Sequence, residues 1–285
     1  MSRLELAQVT LCAVDTRSPE LAAMSLRRSM AGIDFGRVLL FTRDWTPKHP
    51  LPGVEVVEID LLHSGADYSH FVLRQLPGHI RSSHVLVTQW DGFVVEPAAW
   101  RQEFLLHDYI GAVWPDQPAA CSVGNGGFSL RSRRFMAAGL DPRITELHPE
   151  DQVLCRTWRT HLEREHGVSF APPALARRFA FENEEPQGPT FGFHGPRNLP
   201  RFLDEAALVA MLGELPDEFF RSRDARRLAR ALLRHGMPDT VLLLQRRRLA
   251  AGRADWPTRL LALAASAQRL ARRRSSAAAP GSGSG

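Results

Sequence analysis

Short apolar runs alternate with amphipathic segments over the first ninety residues, and no other feature narrows the possible folds as much. Runs at 8–14, 38–42, 54–59 and 85–89 read as strands, being short and rich in aliphatic and β-branched residues. After the first run, Ser18-Pro19-Glu20 supplies an N-cap, a first-turn proline and an acid, and Leu21, Met24 and Leu26 follow toward Met30. Residues 70–79 read as a second helix. Strands joined by crossover helices build a mostly parallel sheet with helices on its faces, so the expected fold class is α/β. Further on, Glu96-Pro97 opens a predicted helix carrying Trp100, Phe104 and Leu105. Residues 108–112 and 128–130 read as extended, 132–138 as a helix, and Pro149-Glu150-Asp151 opens a helix through Trp158.

At 285 residues and 44% hydrophobic content the chain can bury one large α/β domain and a smaller appendage. The expected division is residues 1–203 for that domain and 204–275 for an Arg-rich helical extension. Residues 276–285, ending in GSGSG, read as a flexible linker-like tail. Residues 221–274 hold 15 Arg, 3 Asp and no Lys, a net of +12 against +5 for the whole chain, which leaves −7 for the remainder. Such a block suits solvated helix faces, an acidic partner or peripheral contact with an anionic membrane; no nucleic acid is expected. Leu228, Leu232, Leu233, Val241, Leu244, Leu260 and Leu263 are plentiful enough for a small helical core.

Cys12, Cys121 and Cys155 are odd in number, far apart and free of C-x-x-C spacing. They point to neither a disulfide framework nor a zinc site, and a reducing compartment fits them. No run approaches the roughly 18 apolar residues of a membrane span, and the start lacks a basic region followed by a long apolar one, so a cytoplasmic location is expected. Lys48 is the only lysine, leaving a Schiff base or a Walker-type phosphate loop almost nothing to work with.

Ligands of open α/β sheets bind beyond the carboxyl ends of the strands, which singles out Asp91 directly after the run at 85–89. The same Asp-Gly pair also suits an ordinary tight turn. Gly124-Asn125-Gly126-Gly127 lets backbone pass close to a ligand and can present amides to hydroxyls or phosphate, though it lacks the G-x-G-x-x-G dinucleotide pattern. Glu150 and Asp151 after Pro149 make a regular helix start, and equally a place for a general base, since the helix dipole favours the ionised carboxylate. His194, between aromatic and glycine residues, could be structural or could join Asp91 in a mixed oxygen and nitrogen site that suits Mn²⁺ or Mg²⁺. Arg17 and Arg43, near the ends of the first two strands, suit bidentate phosphate contacts.

Five blocks occur in one order: Gln89-Trp90-Asp91-Gly92-Phe93, Asp108-Tyr109-Ile110-Gly111-Ala112-Val113-Trp114, Gly124 through Ser132, Glu150-Asp151, and Phe191-Gly192-Phe193-His194-Gly195. Over about residues 8–200 that order resembles an uncharacterised glycosyltransferase-type domain family of bacteria and fungi marked by Q-x-D-G-F, D-Y-I-G-A-x-W and G-N-G-G-F-S-L-R. It also looks like a divergent glycosyltransferase A fold, in which a D-x-D segment after a core strand holds the metal of a nucleotide-sugar donor. Only Asp91 matches that segment, because Gln89 stands where the first acid would be.

The resemblance implies that residues 1–203 form a nucleotide-sugar-binding catalytic domain using Mn²⁺ or Mg²⁺. Its partners would be a nucleotide-sugar donor and a saccharide, lipid-linked or peptide acceptor. By the same resemblance Asp91 and His194 would hold the metal, and Gln89, Asp91, Gly92, Asn125, Gly126 and Gly127 would line the donor and acceptor sites. Asp151 would be the base with Glu150 beside it, and transfer would invert the anomeric carbon. Two alternatives compete. A sugar-phosphate nucleotidyltransferase would begin with a Gly-rich loop, whereas CAVDTRSPE at 12–20 contains no glycine. An inactive carbohydrate-binding or scaffold protein is favoured by the missing acid.

Overall fold

The computed structural model describes residues 3–278. The chain divides into two units, Met1–Gly195 and Pro196–Gly285. The boundary lies ahead of the expected one at residue 203, because the 3₁₀ turns of Pro196–Arg201 pack against a helix of the second unit.

In chain order the first unit's strands are β1 (Leu4–Val14), β2 (Ile33–Thr42), β3 (Glu55–Glu58), β4 (His84–Thr88), β5 (Phe93–Val94), β6 (Tyr109–Gly111), β7 (Phe128–Ser132), β8 (Ala180–Phe181) and β9 (Gly192–Phe193). The main sheet has the order β3-β2-β1-β4-β7-β6. Its first four strands are parallel, and β7 runs against both β4 and β6, so five strands point one way and one the other. The fold is the mostly parallel α/β sheet that the alternating runs predict. Along β1, Leu11 and Ala13 face one apolar core while Cys12 and Val14 face another, and Leu40 and Phe41 of β2 divide the same way. Burial on both faces is why these strands read as continuous apolar runs.

Helix α1 (Pro19–Ser29) covers one face with Ala22, Ala23 and Leu26. The other face is covered by α2 (Gly65–His70), a π-turn at Phe71–Gln75 and α3 (Leu76–His79), contributing Phe71, Val72 and Leu76. This stretch begins before the predicted residue 70 because Ser64 and Asp67 form a capping box: Asp67 N–H donates to Ser64 Oγ (3.2 Å) and Ser64 N–H to Asp67 Oδ2 (3.0 Å). The helix predicted after Glu96-Pro97 is instead two 3₁₀ turns, Pro97–Ala99 and Gln102–Leu106. Trp100 and Arg101 between them are extended, which turns the Trp100 ring onto Phe104 and Phe191 at 5.3 and 5.0 Å. Helices α4 (Arg133–Ala138), α5 (Glu150–Gln152), α6 (Arg159–His166) and α7 (Pro173–Phe179) complete the unit, a π-turn at Val153–Thr157 carrying α5 onward as far as Trp158.

The second unit is helical, with α8 (Glu205–Glu214), α9 (Asp217–Arg221), α10 (Arg223–Arg234), α11 (Pro238–Ala250) and α12 (Trp256–Ala278). Leu228, Leu232, Val241 and Leu244 are fully buried there, but Leu260 and Leu263 are 50% and 66% exposed and do not join that core. Part of the arginine block is internal: Arg248 is buried and donates to the Phe220 carbonyl (2.8 Å), the Ser222 carbonyl (3.2 Å) and Thr258 Oγ1 (3.2 Å). No helix among the described residues is long and apolar enough to cross a membrane. Of the expected tail, residues 276–278 end α12, and 279–285 lie outside the described residues.

Candidate active site

The chain leaves β1 toward β2 and β3 on one side and returns to place β4 on the other, so the carboxyl ends of β1 and β4 form the topological switch point of the sheet. A cavity of about 350 Å³ opens there. It is lined by Asp15 and Arg17 after β1, Ser64 and Tyr68 from the start of α2, and Gln89 and Trp90 after β4. Asp15 is anchored by the N–H groups of Arg17 (2.8 Å) and Ser18 (2.7 Å), and burial raises its carboxyl above the usual range against those two donors. The Tyr68 hydroxyl is buried without a hydrogen bond of good geometry, and burial pushes its pKa above the ordinary phenol value. Arg17 lines this cavity. Arg43 does not: its guanidinium pairs with Asp44 (3.1 Å), Glu58 (3.5 Å) and Asp60 (3.5 Å) at an exposed surface.

Asp91 sits in the turn between β4 and β5, which closes with Gly92 N–H donating to the Gln89 carbonyl at 3.1 Å. The Gly92 carbonyl is fixed in turn by the buried hydroxyls of Ser25 (2.6 Å) and Thr88. The small sheet β5-β9-β8 then brings distant residues to this turn. Phe93 pairs antiparallel with Phe193, so His194 lands opposite Gly92; Phe181 pairs parallel with Phe193, so Glu182 runs alongside His194. His194 Nε2 accordingly lies 3.3 Å from Asp91 Oδ1 and 3.3 Å from Gln89 Oε1, and Nδ1 lies 3.3 Å from Glu182 Oε1. Burial alone would depress the imidazole, but the Asp91 and Glu182 carboxylates outweigh it and hold His194 well above its ordinary value.

The contact between Asp91 and His194 is close in distance, yet the ring nitrogen is not aligned to donate, and Asp91 Oδ1 is left buried without a hydrogen-bond donor. A buried carboxylate oxygen that accepts no hydrogen bond, beside an amide oxygen and an imidazole nitrogen, is an O/O/N donor set of the kind that hard divalent cations take. The residues therefore fit Mn²⁺ or Mg²⁺.

Asn125 holds the glycine-rich loop against this cluster. It adopts a left-handed backbone (φ 72°), its carbonyl accepts from the Tyr109 hydroxyl (3.0 Å), and its Oδ1 accepts from the N–H groups of Gly127 (3.1 Å) and Phe128 (3.3 Å). That leaves its amide nitrogen 3.1 Å from His194 Nδ1. A Cβ at Gly127 would run into His194 Nε2, and one at Gly126 into Glu150 Oε1, so both glycines are required by close approach. Gly126 N–H donates to Asp151 Oδ2 at 3.1 Å, and Gln152 N–H to Asp151 Oδ1 at 2.8 Å, fixing the carboxylate while leaving it partly exposed.

Glu150 has a different position from its neighbour. It is buried and pairs with Arg131 at 3.2 Å, which also donates to the Gly126 carbonyl at 3.1 Å. Burial pushes the Glu150 carboxyl up, and the Arg131 guanidinium pulls it back. Arg131, Glu182, Tyr68 and Asp15 escape the sequence reading. Arg131 stands inside the quoted G-N-G-G-F-S-L-R block, and Glu182 heads the acidic run after Phe181, so both left a visible if unspecific trace.

A second carboxylate–imidazole group gathers Asp141, His161 and His166, whose ligand atoms all lie within 4.8 Å of one another. Each Nε2 is 2.9 Å from Asp141 Oδ2, and Arg143 grips the same carboxylate through Nε (3.0 Å to Oδ1) and Nη2 (2.8 Å to Oδ2).

A profile for a family described as "Protein of unknown function (DUF5672)" matches residues 53–194, just under half of the chain. No curated protein sequence matches. Among solved structures, a mannosyltransferase, PcManGT from Pyrobaculum calidifontis in complex with GDP-Man and Mn²⁺, is similar over 97% of this chain and 76% of its own, at 12% identity and a TM-score of 0.42. The apo form of the glycosyltransferase GlyE of Streptococcus pneumoniae TIGR4 is similar over 72% of this chain and 55% of its own, at 12% identity and a TM-score of 0.38. An active-site mutant of LgtC is similar over 74% of this chain and 98% of its own, at 10% identity and a TM-score of 0.42. The family profile ends on His194 and takes in Gln89, Asp91, Asn125, Gly126, Gly127, Glu150 and Asp151, leaving out β1 and β2.

Proposed function

We propose that the chain is a glycosyltransferase that moves a sugar from a nucleotide-diphosphate sugar to an acceptor hydroxyl, with inversion at the anomeric carbon. One observation carries the reading: the switch-point cavity is joined through Gln89 to a buried Asp91–His194 pair that fits a divalent cation. A cavity of this size suits a nucleoside, with Arg17 on its wall to meet phosphate. The order of the five sequence blocks supports the same class.

Asp91 and His194 would hold Mn²⁺ or Mg²⁺ with the Gln89 amide oxygen beside them. The cation's part is to neutralise the negative charge that grows on the departing diphosphate. Asp151 Oδ2, steadied by the Gly126 amide, accepts the proton of the attacking hydroxyl. Glu150 and Arg131 position the Gly126 segment from beneath, and Glu182 orients His194. A carbohydrate-binding protein without activity is the second reading, favoured by the neutral Gln89 in the place of a first acid.

Release of nucleoside diphosphate from a panel of UDP-, GDP-, CDP- and dTDP-sugars, followed by ³¹P NMR with Mn²⁺ present, tests the proposal. Turnover of one donor, lost in Asp91→Asn and Asp151→Asn, is the expected result. Saccharide binding with no turnover of any donor would leave the second reading standing.

A further inference from the structure

The first unit carries another hollow, of about 180 Å³, that the donor reading does not use. Its walls include Trp114, Asp116, Gln117, Gln152, Arg156 and Asn183. Three of these are one step from the polar cluster. Gln152 follows Asp151 and takes its carboxylate on the backbone N–H. Asn183 follows Glu182 and donates to its Oε2 at 2.9 Å. The Trp114 ring lies against Gly124, the neighbour of Asn125, so closely that a Cβ there would enter the indole.

The main chain of Trp114 is held firmly: its backbone N–H donates to the Ser122 carbonyl (2.7 Å), its carbonyl accepts from the Gln117 backbone N–H (3.1 Å), and Val113 and Val123 bridge beside it, while the ring packs against Gly124. Arg156 forms no ion pair among the described residues and is exposed. None of the six belongs to a strand, so the hollow offers an extended peptide no sheet edge to pair with. It offers instead a flat aromatic face and a ring of amide, carboxylate and guanidinium groups. That set matches a pyranose, whose C–H face packs on the negative face of an indole while its hydroxyls donate and accept around the rim.

We propose that this hollow is the acceptor subsite and that a pyranose unit of a saccharide acceptor stacks on Trp114, with its reacting hydroxyl toward Asp151. The proposal rests on the transferase reading and commits it to a saccharide over a peptide. Saturation-transfer NMR tests it, with the methyl glycosides of glucose, galactose, mannose and glucuronic acid, and a serine-containing peptide, as probes. Each is offered to the protein in the presence of the nucleoside diphosphate that calorimetry shows to bind.

One glycoside should bind, with affinity about tenfold weaker in Trp114→Ala and about threefold weaker in Arg156→Ala. Nucleotide affinity should be unchanged in both. Should Trp114→Ala loosen the Gly124 loop, Gln152→Ala, on an exposed side chain, should still weaken the glycoside. Glycoside binding that none of the three variants weakens, or no glycoside binding by protein that does bind nucleotide, overturns the subsite and leaves the transferase reading intact. Peptide binding in place of glycoside overturns the substrate class. Failure to bind any nucleotide removes the reading on which the acceptor role rests, whatever the glycoside does.

Discussion

The first unit sets two carboxylate–imidazole clusters side by side in chemistry but not in completeness. Asp141 accepts from His161, His166 and both arms of Arg143, so its oxygens are saturated. Asp91 has one imidazole near it, out of line, and an oxygen with no donor. His161 of the first cluster lines a separate cavity of about 650 Å³, while the second is reached from the switch-point cavity through Gln89, which lines its wall. Saturation marks an anchor that ties α6 to the chain after α4. An unmet buried oxygen is what supports the proposed site at Asp91. The same residue types therefore do different work according to how many donors the fold supplies.

Four substitutions try that contrast, taken from the largest effect to the smallest. Arg131→Met leaves Glu150 buried and uncompensated, and should lower stability by about 3–5 kcal/mol in urea denaturation, partly recovered by adding Glu150→Gln. Gly127→Ala pushes His194 aside and should reduce donor turnover about a hundredfold, more than its thermal shift would explain. Asp141→Asn should lower the melting temperature and leave nucleotide affinity unchanged; an equal loss of both would break the distinction between anchor and site. Arg43→Ala should leave both the melting temperature and nucleotide binding as they are, since its partners are exposed.

The clusters should also differ in pH dependence. The Arg143 guanidinium, then His161 and His166, hold the Asp141 carboxyl well below the usual carboxylate range. Its contribution is complete above the unfolded value of about 3.9 and is lost as pH falls through the lower folded value. His194 has the opposite sign. Its folded value is raised, so its contribution is complete below about 6.5 and is lost as pH climbs through the folded value. Melting curves across pH should therefore lose an acid limb in Asp141→Asn and an alkaline limb in His194→Gln. A His194→Gln protein with the wild-type alkaline limb would contradict the ion-paired imidazole.

The sheet was legible because strands buried on both faces leave apolar runs that no polar alternation obscures. Turns at Gln89–Gly92 and Gly124–Gly127 were legible because Asp, Asn and Gly at strand ends have few other uses. The residues that complete the site were not, because long-range register places them. Nothing local to Glu182 announces that β8 will lie parallel to β9, and nothing local to Arg131 announces that Glu150 will be buried against it. The predicted helix after Pro97 failed for a related reason: Trp100 is drawn inward onto Phe104 and Phe191, and that tertiary contact outweighs local helical preference. Arg43 looked like a phosphate ligand only while the acids around it, Glu58 at the end of β3 and Asp60 beyond it, were out of view.

Calorimetric titration of the chain with UDP, GDP, CDP and dTDP, with and without Mn²⁺, tests the central claim most directly when Asp91→Asn and Asp141→Asn are run beside it. Mn²⁺-dependent binding of one nucleotide that Asp91→Asn abolishes and Asp141→Asn leaves intact is the expected result. Binding lost in Asp141→Asn but kept in Asp91→Asn, or no nucleotide bound at all, would contradict it.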